Sequence, residues 1–250
     1  MRSLKLTLAY DGAQFHGWQW QPGRRTVQGE LEMAIFNVTG EQLRVVASGR
    51  TDAGVHALAQ VVSFATRTHL APDILRRALN ANLPADMTIH DAAEVPDGFD
   101  AIDEAVAKRY RYVICDGPRR DVFARCYAWY LHYELDVTAM HAAAQVLQGT
   151  HDFKSFETSG SARVSTVRTI YEIGVQRREE DGSSRIIFEV EANGFLYNMV
   201  RNIVGTLVQV GRGKQGIGWP GEVLAQRDRR CAGMTAPPHG LYLVYVKLRT

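Results

Sequence analysis

The sequence predicts a protein of the α+β class, built as two halves that each contain a mainly antiparallel sheet. Two kinds of pattern alternate along both halves: apolar residues at every second position, typical of half-buried strands, and apolar residues three and four apart, typical of helices. The length of 250 residues allows one large domain or two domains of ordinary size. A short boundary near residues 105–108 divides the chain into predicted domains 1–106 and 107–250.

The first half alternates strands with two helices. Thr26 is placed to cap the first helix, and the second helix is predicted to follow Pro72. Residues 4–10 end at an Asp11-Gly12 turn, which is typical of a strand. Strands are predicted at four segments, 4–10, 43–47, 60–64 and 87–92.

The second half repeats this order. Asp136 is placed to cap a helix, and apolar spacing predicts a long helix from Leu196 to Val208. The string G-x-G-x-x-G at 211–216 follows that helix, whereas a dinucleotide-binding loop follows a strand. We therefore interpret it as a helix end and a loop, and predict no nucleotide cofactor. Strands are predicted at 110–115, 169–176, 185–192 and 241–248.

The composition argues against several classes of protein. Hydrophobic residues make up 46% of the chain, and no apolar run has transmembrane length, so a globular protein without a membrane span is expected. Cys115, Cys126 and Cys231 are odd in number, and neither they nor the histidines have metal-ligand spacing. No disulfide framework and no metal site are predicted. The N-terminus lacks a signal-peptide pattern, which favours a cytoplasmic protein.

Positive charge is gathered in clusters, although the net charge is only +2. Arginines with interleaved aromatic residues suit a polyanion that has exposed bases, while ordinary solvated surface is the alternative for each cluster. The cluster at 108–111 carries the most weight among them. The clusters lie at 24–25, 76–77, 108–111, 119–120, 177–178 and 227–230.

A glycine-punctuated polar segment, residues 49–57, lies between two apolar runs and carries one carboxylate, Asp52. Such a turn presents a side chain beside a rigid scaffold. Arg50 stands two residues before the acid, and a neighbouring cation keeps a carboxylate ionised for work as a nucleophile or base. An Asx turn or a helix cap is the structural alternative for Asp52. The chain contains no G-x-S-x-G hydrolase motif.

These residues resemble the TruA family of tRNA pseudouridine synthases. The segment Gly49-Arg50-Thr51-Asp52-Ala53-Gly54-Val55-His56-Ala57 is similar to the active-site signature of that family without a mismatch. The resemblance covers the length of the chain. Further matching segments occur in the family's order at 10–21, 26–32, 108–112, 151–156, 194–202 and 235–243.

The resemblance implies a reaction, a substrate and a fold. Uridine in tRNA is converted to pseudouridine by breaking the N1–C1′ bond, turning the uracil and rejoining it through C5, without a cofactor. The usual targets are uridines 38, 39 and 40 in the anticodon arm. The implied architecture is the pseudouridine synthase fold, with two halves of RRM or ferredoxin-like topology flanking a central basic cleft, in a homodimer.

The resemblance also implies roles for single residues. Asp52 is the catalytic carboxylate, and either attack on C1′ or abstraction of a sugar proton fits it. Arg50 assists extrusion of the base from its stack, which costs a few kcal/mol. Tyr110 stacks on the flipped uracil. Arg201 pairs with Asp52, with a surface arginine of the helix as the alternative, and Leu241 lines the uracil pocket, with a plain strand leucine as the alternative.

Three neighbouring features are open to interpretation. Phe195 is either a cover for the pocket or a core aromatic, and His56 is interpreted as a structural member of the turn. The family commonly has a Phe-His-Ala-Arg-Phe-like segment where this chain has Phe-Asp-Ala-Ile-Asp-Glu at 99–104. Ile102 stands at the arginine position among three acids, which repel phosphate. This departure leaves the exact target uridines open.

Two other functions are weighed against the synthase. An RNA-binding or chaperone homologue that has lost catalysis is favoured by the departure at 99–104. A glycoside hydrolase with Asp52 as nucleophile would need a second carboxylate about 5–9 Å away. No motif supplies that second acid, so the hydrolase ranks last.

Overall fold

The protein is described by a computed structural model that covers residues 1–158, 165–180 and 183–249. The chain divides into two compact units, which we call unit 1 (Met1–Val106 with Tyr242–Thr250) and unit 2 (Ala107–Leu241). The sequence analysis placed the C-terminal strand in the second half, but its contacts place Tyr242–Thr250 in unit 1. Periodicity identifies a strand without telling which sheet it joins.

The elements follow the predicted alternation. The strands are β1 (Arg2–Tyr10), β2 (Val46–Ala47), β3 (His56–Thr66), β4 (Met87–Val95), β5 (Ala105–Asp116), β6 (Trp129–Leu131), β7 (Gly149–Asp152), β8 (Val167–Glu180), β9 (Ser183–Ala192) and β10 (Leu241–Leu248). The helices are α1 (Val27–Thr39), α2 (Pro72–Asn80), α3 (Val137–Gln145), α4 (Met199–Gly211) and α5 (Trp219–Gln226).

The sheet of unit 1 has the strand order β4-β1-β3-β10, with β2 paired to β3. β1 is antiparallel to both of its neighbours, and β10 is parallel to β3. Leu4, Leu6 and Leu8 of β1 are fully buried, as are Leu31 of α1 and Leu75 of α2. This core supports the loop that enters β3, where the candidate acid lies.

The sheet of unit 2 has the order β5-β9-β8-β7, and β6 runs parallel to β5. The pairs β5–β9, β9–β8 and β8–β7 are antiparallel, with Tyr110 opposite Val190 and Tyr112 opposite Phe188. The helix α4 is buried along nearly its whole length, and α3 packs against β8 and α4. The predicted α+β class with mainly antiparallel sheets is confirmed.

Side chains from the α3 region cover one edge of β8. β7 pairs with β8 at residues 167–170, and beyond this pairing three side chains bond to the β8 backbone. Gln145 donates to Ile173 O at 2.8 Å, and Gln148 donates to Tyr171 O at 3.0 Å. His141 Nδ1 accepts from Val175 N at 3.2 Å. Outward backbone groups of the strand are thereby satisfied without another strand.

The predicted helix caps are confirmed. Thr26 accepts from Gly29 N at the start of α1, Asp136 accepts from Ala139 N at the start of α3, and α2 begins at Pro72. Short hydrogen-bonding side chains satisfy helical N–H groups that have no partner inside the helix. Because this chemistry is local, the sequence was sufficient to identify it.

The predicted start of the long helix was wrong. α4 begins at Met199, after Asn198, whose φ of 59° places it in the left-handed region. Leu196 is 4% exposed and continues the apolar spacing, but it lies in the turn before the helix. The apolar spacing thus predicted a helix start at Leu196 because that residue is buried, although it is not helical. Among the described residues, no helix has both the length and the apolarity to span a membrane.

Candidate active site

The predicted catalytic acid lies in the loop between β2 and β3 of unit 1. Asp52 is partly exposed, Arg50 is exposed, and Thr51 between them is buried. The loop thus presents two charged side chains while its backbone is anchored at the buried residue. The anchoring contacts come from β1, β3 and the segment 11–18.

Gln60 fixes the first part of this loop from inside β3. Its side chain is fully buried, and Nε2 donates to Gly49 O at 2.7 Å. Its Oε1 accepts from Ser48 Oγ at 2.8 Å and from Val61 N at 3.2 Å. A single buried amide therefore satisfies polar groups both at the start of the loop and in β3.

Tyr10 of β1 holds the residue directly before Asp52. Its hydroxyl lies 2.7 Å from Thr51 Oγ1 in a buried hydrogen bond, and Thr51 O accepts from Trp18 N at 2.9 Å. Burial raises the pKa of Tyr10 to about 12, so the phenol stays neutral at physiological pH. Thr51 is therefore held through both its side chain and its backbone, which limits where the next residue can move.

Two glycines let the segment 11–18 lie directly against the loop. A Cβ on Gly12 would come 2.0 Å from Val55 O, and one on Gly17 would come 2.9 Å from Thr51 O. Gly17 also has a φ of 87°, which favours glycine. The contact is completed by Gly54 N, which donates to a backbone oxygen of this segment at 3.3 Å.

His56 belongs to the same packed turn. It is 2% exposed, and its ring stacks on Tyr242 with centroids 4.7 Å apart. Nδ1 lies 3.1 Å from Gly12 N and 3.0 Å from Asp11 Oδ1. Both contacts suit the structural role that the sequence analysis gave to this histidine.

Replacing Gln60 with methionine is expected to lower the free energy of unfolding by about 2 kcal/mol, because Ser48 Oγ and Gly49 O lose a buried partner while the volume is kept. Urea denaturation followed by fluorescence measures the change. The matched control is Gln42→Met, since Gln42 is exposed. Equal stability of the two variants would contradict the anchoring role of Gln60.

Three of the predicted substrate residues, Tyr110, Arg201 and Leu241, lie in unit 2. Tyr110 of β5 is 8% exposed, and its ring meets Phe195 edge-on with centroids 5.0 Å apart. Leu241, at the start of β10, is buried. The neighbouring Tyr112 donates its hydroxyl to Pro237 O at 2.7 Å, and burial raises the pKa of Tyr112.

Arg201, in the first turn of α4, donates to two uncharged oxygens. Nε donates to Ala236 O at 2.7 Å, and Nη1 donates to Asn198 Oδ1 at 2.8 Å. Ala236 N returns a hydrogen bond to Arg201 O at 3.1 Å. The amide of Asn198 is in turn oriented by Thr158 Oγ1 at 3.2 Å. These contacts orient the guanidinium plane.

Asn202, directly after Arg201 in α4, was not among the predicted site residues. Asn202 is fully buried, and its Oδ1 accepts from Arg229 Nη2 at 2.9 Å and from Thr235 Oγ1 at 2.7 Å. Burial lowers the pKa of Arg229. Asn202 therefore ties α4 to the segment 229–235. The available signal was a polar residue on the buried face of an apolar helix.

Two arginines of the basic strand are paired within unit 2. Arg111 lies 2.7 Å from Glu189, and Arg109 lies 2.9 Å from Glu191 across the β5–β9 register. Arg109 also pairs with Glu172 of β8. This cluster was the strongest of the predicted polyanion-binding candidates. Its two arginines instead form a charge ladder on the sheet, since register places acids opposite them.

The unusual segment 99–104 forms an ordered turn in unit 1. Asp100 Oδ1 accepts from Ile102 N at 2.7 Å, and Ala101 N donates to Ser63 Oγ at 3.0 Å. Arg249 N donates to Glu104 O at 2.8 Å. The carboxylate of Asp100 thus stabilises the turn, while Ile102 is 56% exposed.

The candidate residues are distributed over both units. Arg50 and Asp52 share one loop of unit 1, whereas Tyr110, Arg201 and Leu241 belong to unit 2. In the ranges that the structure covers, no group of three or more His, Cys, Asp or Glu side chains is arranged to hold a metal ion.

Known proteins resemble this chain over nearly its whole length. A family model described as tRNA pseudouridine synthase matches residues 7–102 and 143–247. A tRNA pseudouridine synthase A from Thermoanaerobacter is 45% identical over 98% of this chain and 99% of the relative. Its namesake from Geobacillus is 47% identical over 97% and 96%. The one from Chloroflexus aurantiacus is 48% identical over 99% and 89%.

Proposed function

The chain belongs to the tRNA pseudouridine synthase family, and on this premise we propose that it isomerises uridines 38, 39 and 40 in the anticodon stem-loop of tRNA. The reaction needs no cofactor. The N1–C1′ bond breaks, the uracil turns, a C5–C1′ bond forms, and the proton lost from C5 is balanced by one gained at N1. A homodimer in the cytoplasm is the proposed working form.

Asp52 is the proposed catalytic group, and its presentation is the observation that carries the proposal. The carboxylate is partly exposed while the residue before it is buried and bonded through both side chain and backbone. Rigid placement lowers the cost of reaching a reactive geometry. Attack on C1′ and abstraction of a sugar proton both suit such a carboxylate.

The remaining residues act on the substrate around that acid. Exposed Arg50 enters the space that the base leaves in the stack and so assists flipping, since a planar cation can both stack and bind phosphate. Tyr110 stacks on the uracil, and its hydroxyl assists removal of the C5 proton. Arg201, with its plane fixed by neutral acceptors, pairs with Asp52, and Leu241 lines the uracil pocket.

One experiment tests the reaction and its target positions together. The purified protein is incubated with an unmodified tRNA transcript that carries uridine at 38, 39 and 40, and pseudouridine is mapped nucleotide by nucleotide. We expect modification at these positions, and none in a matched transcript with cytidine at all three. Pseudouridine elsewhere would overturn the target assignment while keeping the chemistry.

A second candidate function is an RNA-binding homologue without catalysis. Ile102 and the acids beside it favour this candidate, because they replace a cation that would contact phosphate. Tight tRNA binding with no pseudouridine at any position would support it over the synthase. The Asp52 segment argues against it, because binding alone does not require the carboxylate.

A further inference from the structure

An exposed arginine and aromatic surface lies between β5 and β6 of unit 2. Phe123 is 83% exposed, an unusual value for a large aromatic side chain in a folded segment. Val122 and Tyr127 beside it are 57% and 43% exposed. We call this the Phe123 surface, and its members are Arg119, Arg120, Val122, Phe123, Arg125 and Tyr127, all of them exposed.

The backbone beneath the surface is ordered by the acid in its midst. Asp121 Oδ1 accepts from Phe123 N at 2.9 Å and from Ala124 N at 3.2 Å, at the start of the short 3-10 helix 123–126. The carboxylate is therefore engaged with backbone N–H groups. Phe123 is therefore exposed on a hydrogen-bonded segment of backbone.

The arginines of the surface keep their charge toward solvent. Arg125 donates to Val122 O at 3.0 Å, and Arg120 lies over the Tyr130 ring at 5.9 Å from its centroid. Neither a carbonyl nor an aromatic ring neutralises a guanidinium. Arg109 and Arg111 differ in this respect, because both form ion pairs with glutamates of a neighbouring strand.

We propose that the Phe123 surface binds RNA, with Phe123 stacked on an unpaired base and the arginines on the flanking phosphates. Stacking on aromatic side chains beside cations is how proteins hold unpaired nucleotides. The proposal rests on the proposed function for the identity of the RNA, which is tRNA. It adds a binding surface to which the catalytic residues do not belong.

The charge of the surface favours RNA over a second copy of this chain. A two-fold interface buries the same patch on both subunits, so it would gather the arginines of both copies in one place. Like charges brought together in this way oppose association. A polyanion instead gains from every guanidinium, and the exposed ring supplies the contact that phosphate cannot.

Stacking is tested by equilibrium binding of an unmodified tRNA transcript. Phe123→Ala is expected to weaken binding about tenfold, and Phe123→Trp to retain it. A fully paired RNA duplex should bind Phe123→Ala and the unchanged protein alike, because it offers no free base. The matched control is Phe36→Ala, which removes a 41% exposed phenylalanine from α1.

The phosphate contacts are tested by salt dependence. The double variant Arg119→Ala/Arg120→Ala should reduce the magnitude of the slope of log K against log salt by about 1.5. Binding releases fewer counterions from the RNA for each phosphate contact that is lost. The control is Arg76→Ala/Arg77→Ala in α2, where both arginines are ion-paired with Asp73. It should leave the slope nearly unchanged.

The outcomes separate this proposal from the proposed reaction. Unchanged tRNA affinity in Phe123→Ala together with an unchanged salt slope in the double arginine variant would overturn the surface. A shift in sedimentation coefficient without a change in RNA binding would also overturn it, in favour of a self-interface. A lack of pseudouridine at saturating protein would count against the reaction alone, because binding is measured independently.

Discussion

Asp52→Asn is expected to lower pseudouridine formation at least about a thousandfold, while tRNA affinity stays within about twofold. Asparagine has nearly the same size, so the bonds of Tyr10 and Gln60 to the loop are kept. It lacks the charge and basicity that either proposed role of the acid requires. Single-turnover conversion of a tRNA transcript, with binding measured separately, checks the result.

The matched control is Asp91→Asn, which removes an exposed carboxylate from β4 of the same unit. It should turn over tRNA at the unchanged rate. Both variants should melt at the same temperature as the unchanged protein, so that loss of activity reports chemistry rather than unfolding. Substantial turnover by Asp52→Asn would refute the catalytic assignment.

Gly205→Ala is expected to destabilise unit 2 by about 3 kcal/mol. A Cβ at this position in α4 would lie 1.7 Å from Met234 O, and a Cβ on Gly233 would lie 2.6 Å from Gly205 O. Both contacts are with backbone, which cannot swing aside. Helix propensity alone predicts a gain of about 1 kcal/mol for this change, so the clash reverses the sign.

The control for this prediction is Gly216→Ala, because a Cβ there meets nothing within 4 Å. Thermal unfolding of the two variants should differ clearly, and equal midpoints would contradict the close approach. The segment displaced by the clash also contains Ala236, whose carbonyl accepts from Arg201. Folded Gly205→Ala should therefore show a reduced kcat as well as reduced stability.

Local chemistry in the sequence was enough for much of the fold. Alternation identified β1 and β10, and the side chains of Thr26 and Asp136 marked helix starts, because strands and caps are read within a few residues. The start of α4 was misplaced because a left-handed residue leaves no mark on apolar spacing. Asn198 tolerates that backbone better than most residues, which in retrospect is the only local signal.

The candidate site was predictable only in part, for a related reason. The signature around Asp52 is continuous in sequence, so it could be recognised directly. Its anchors, Tyr10 and Gln60, are distant in sequence and meet Thr51 and Gly49 only through strand register. Register likewise places Glu189 opposite Arg111, an ion pair that cannot be read from the local sequence of either strand.

The side chains that cover the β8 edge have a consequence for how this chain behaves when it opens. β8 extends well beyond the residues that β7 pairs, and an unshielded strand edge is a template on which other chains add as strands. Gln145, Gln148 and His141 occupy the groups that such addition would use. Detachment of α3 and the turn after it, without any unfolding of the sheet, would leave these backbone groups open to such addition.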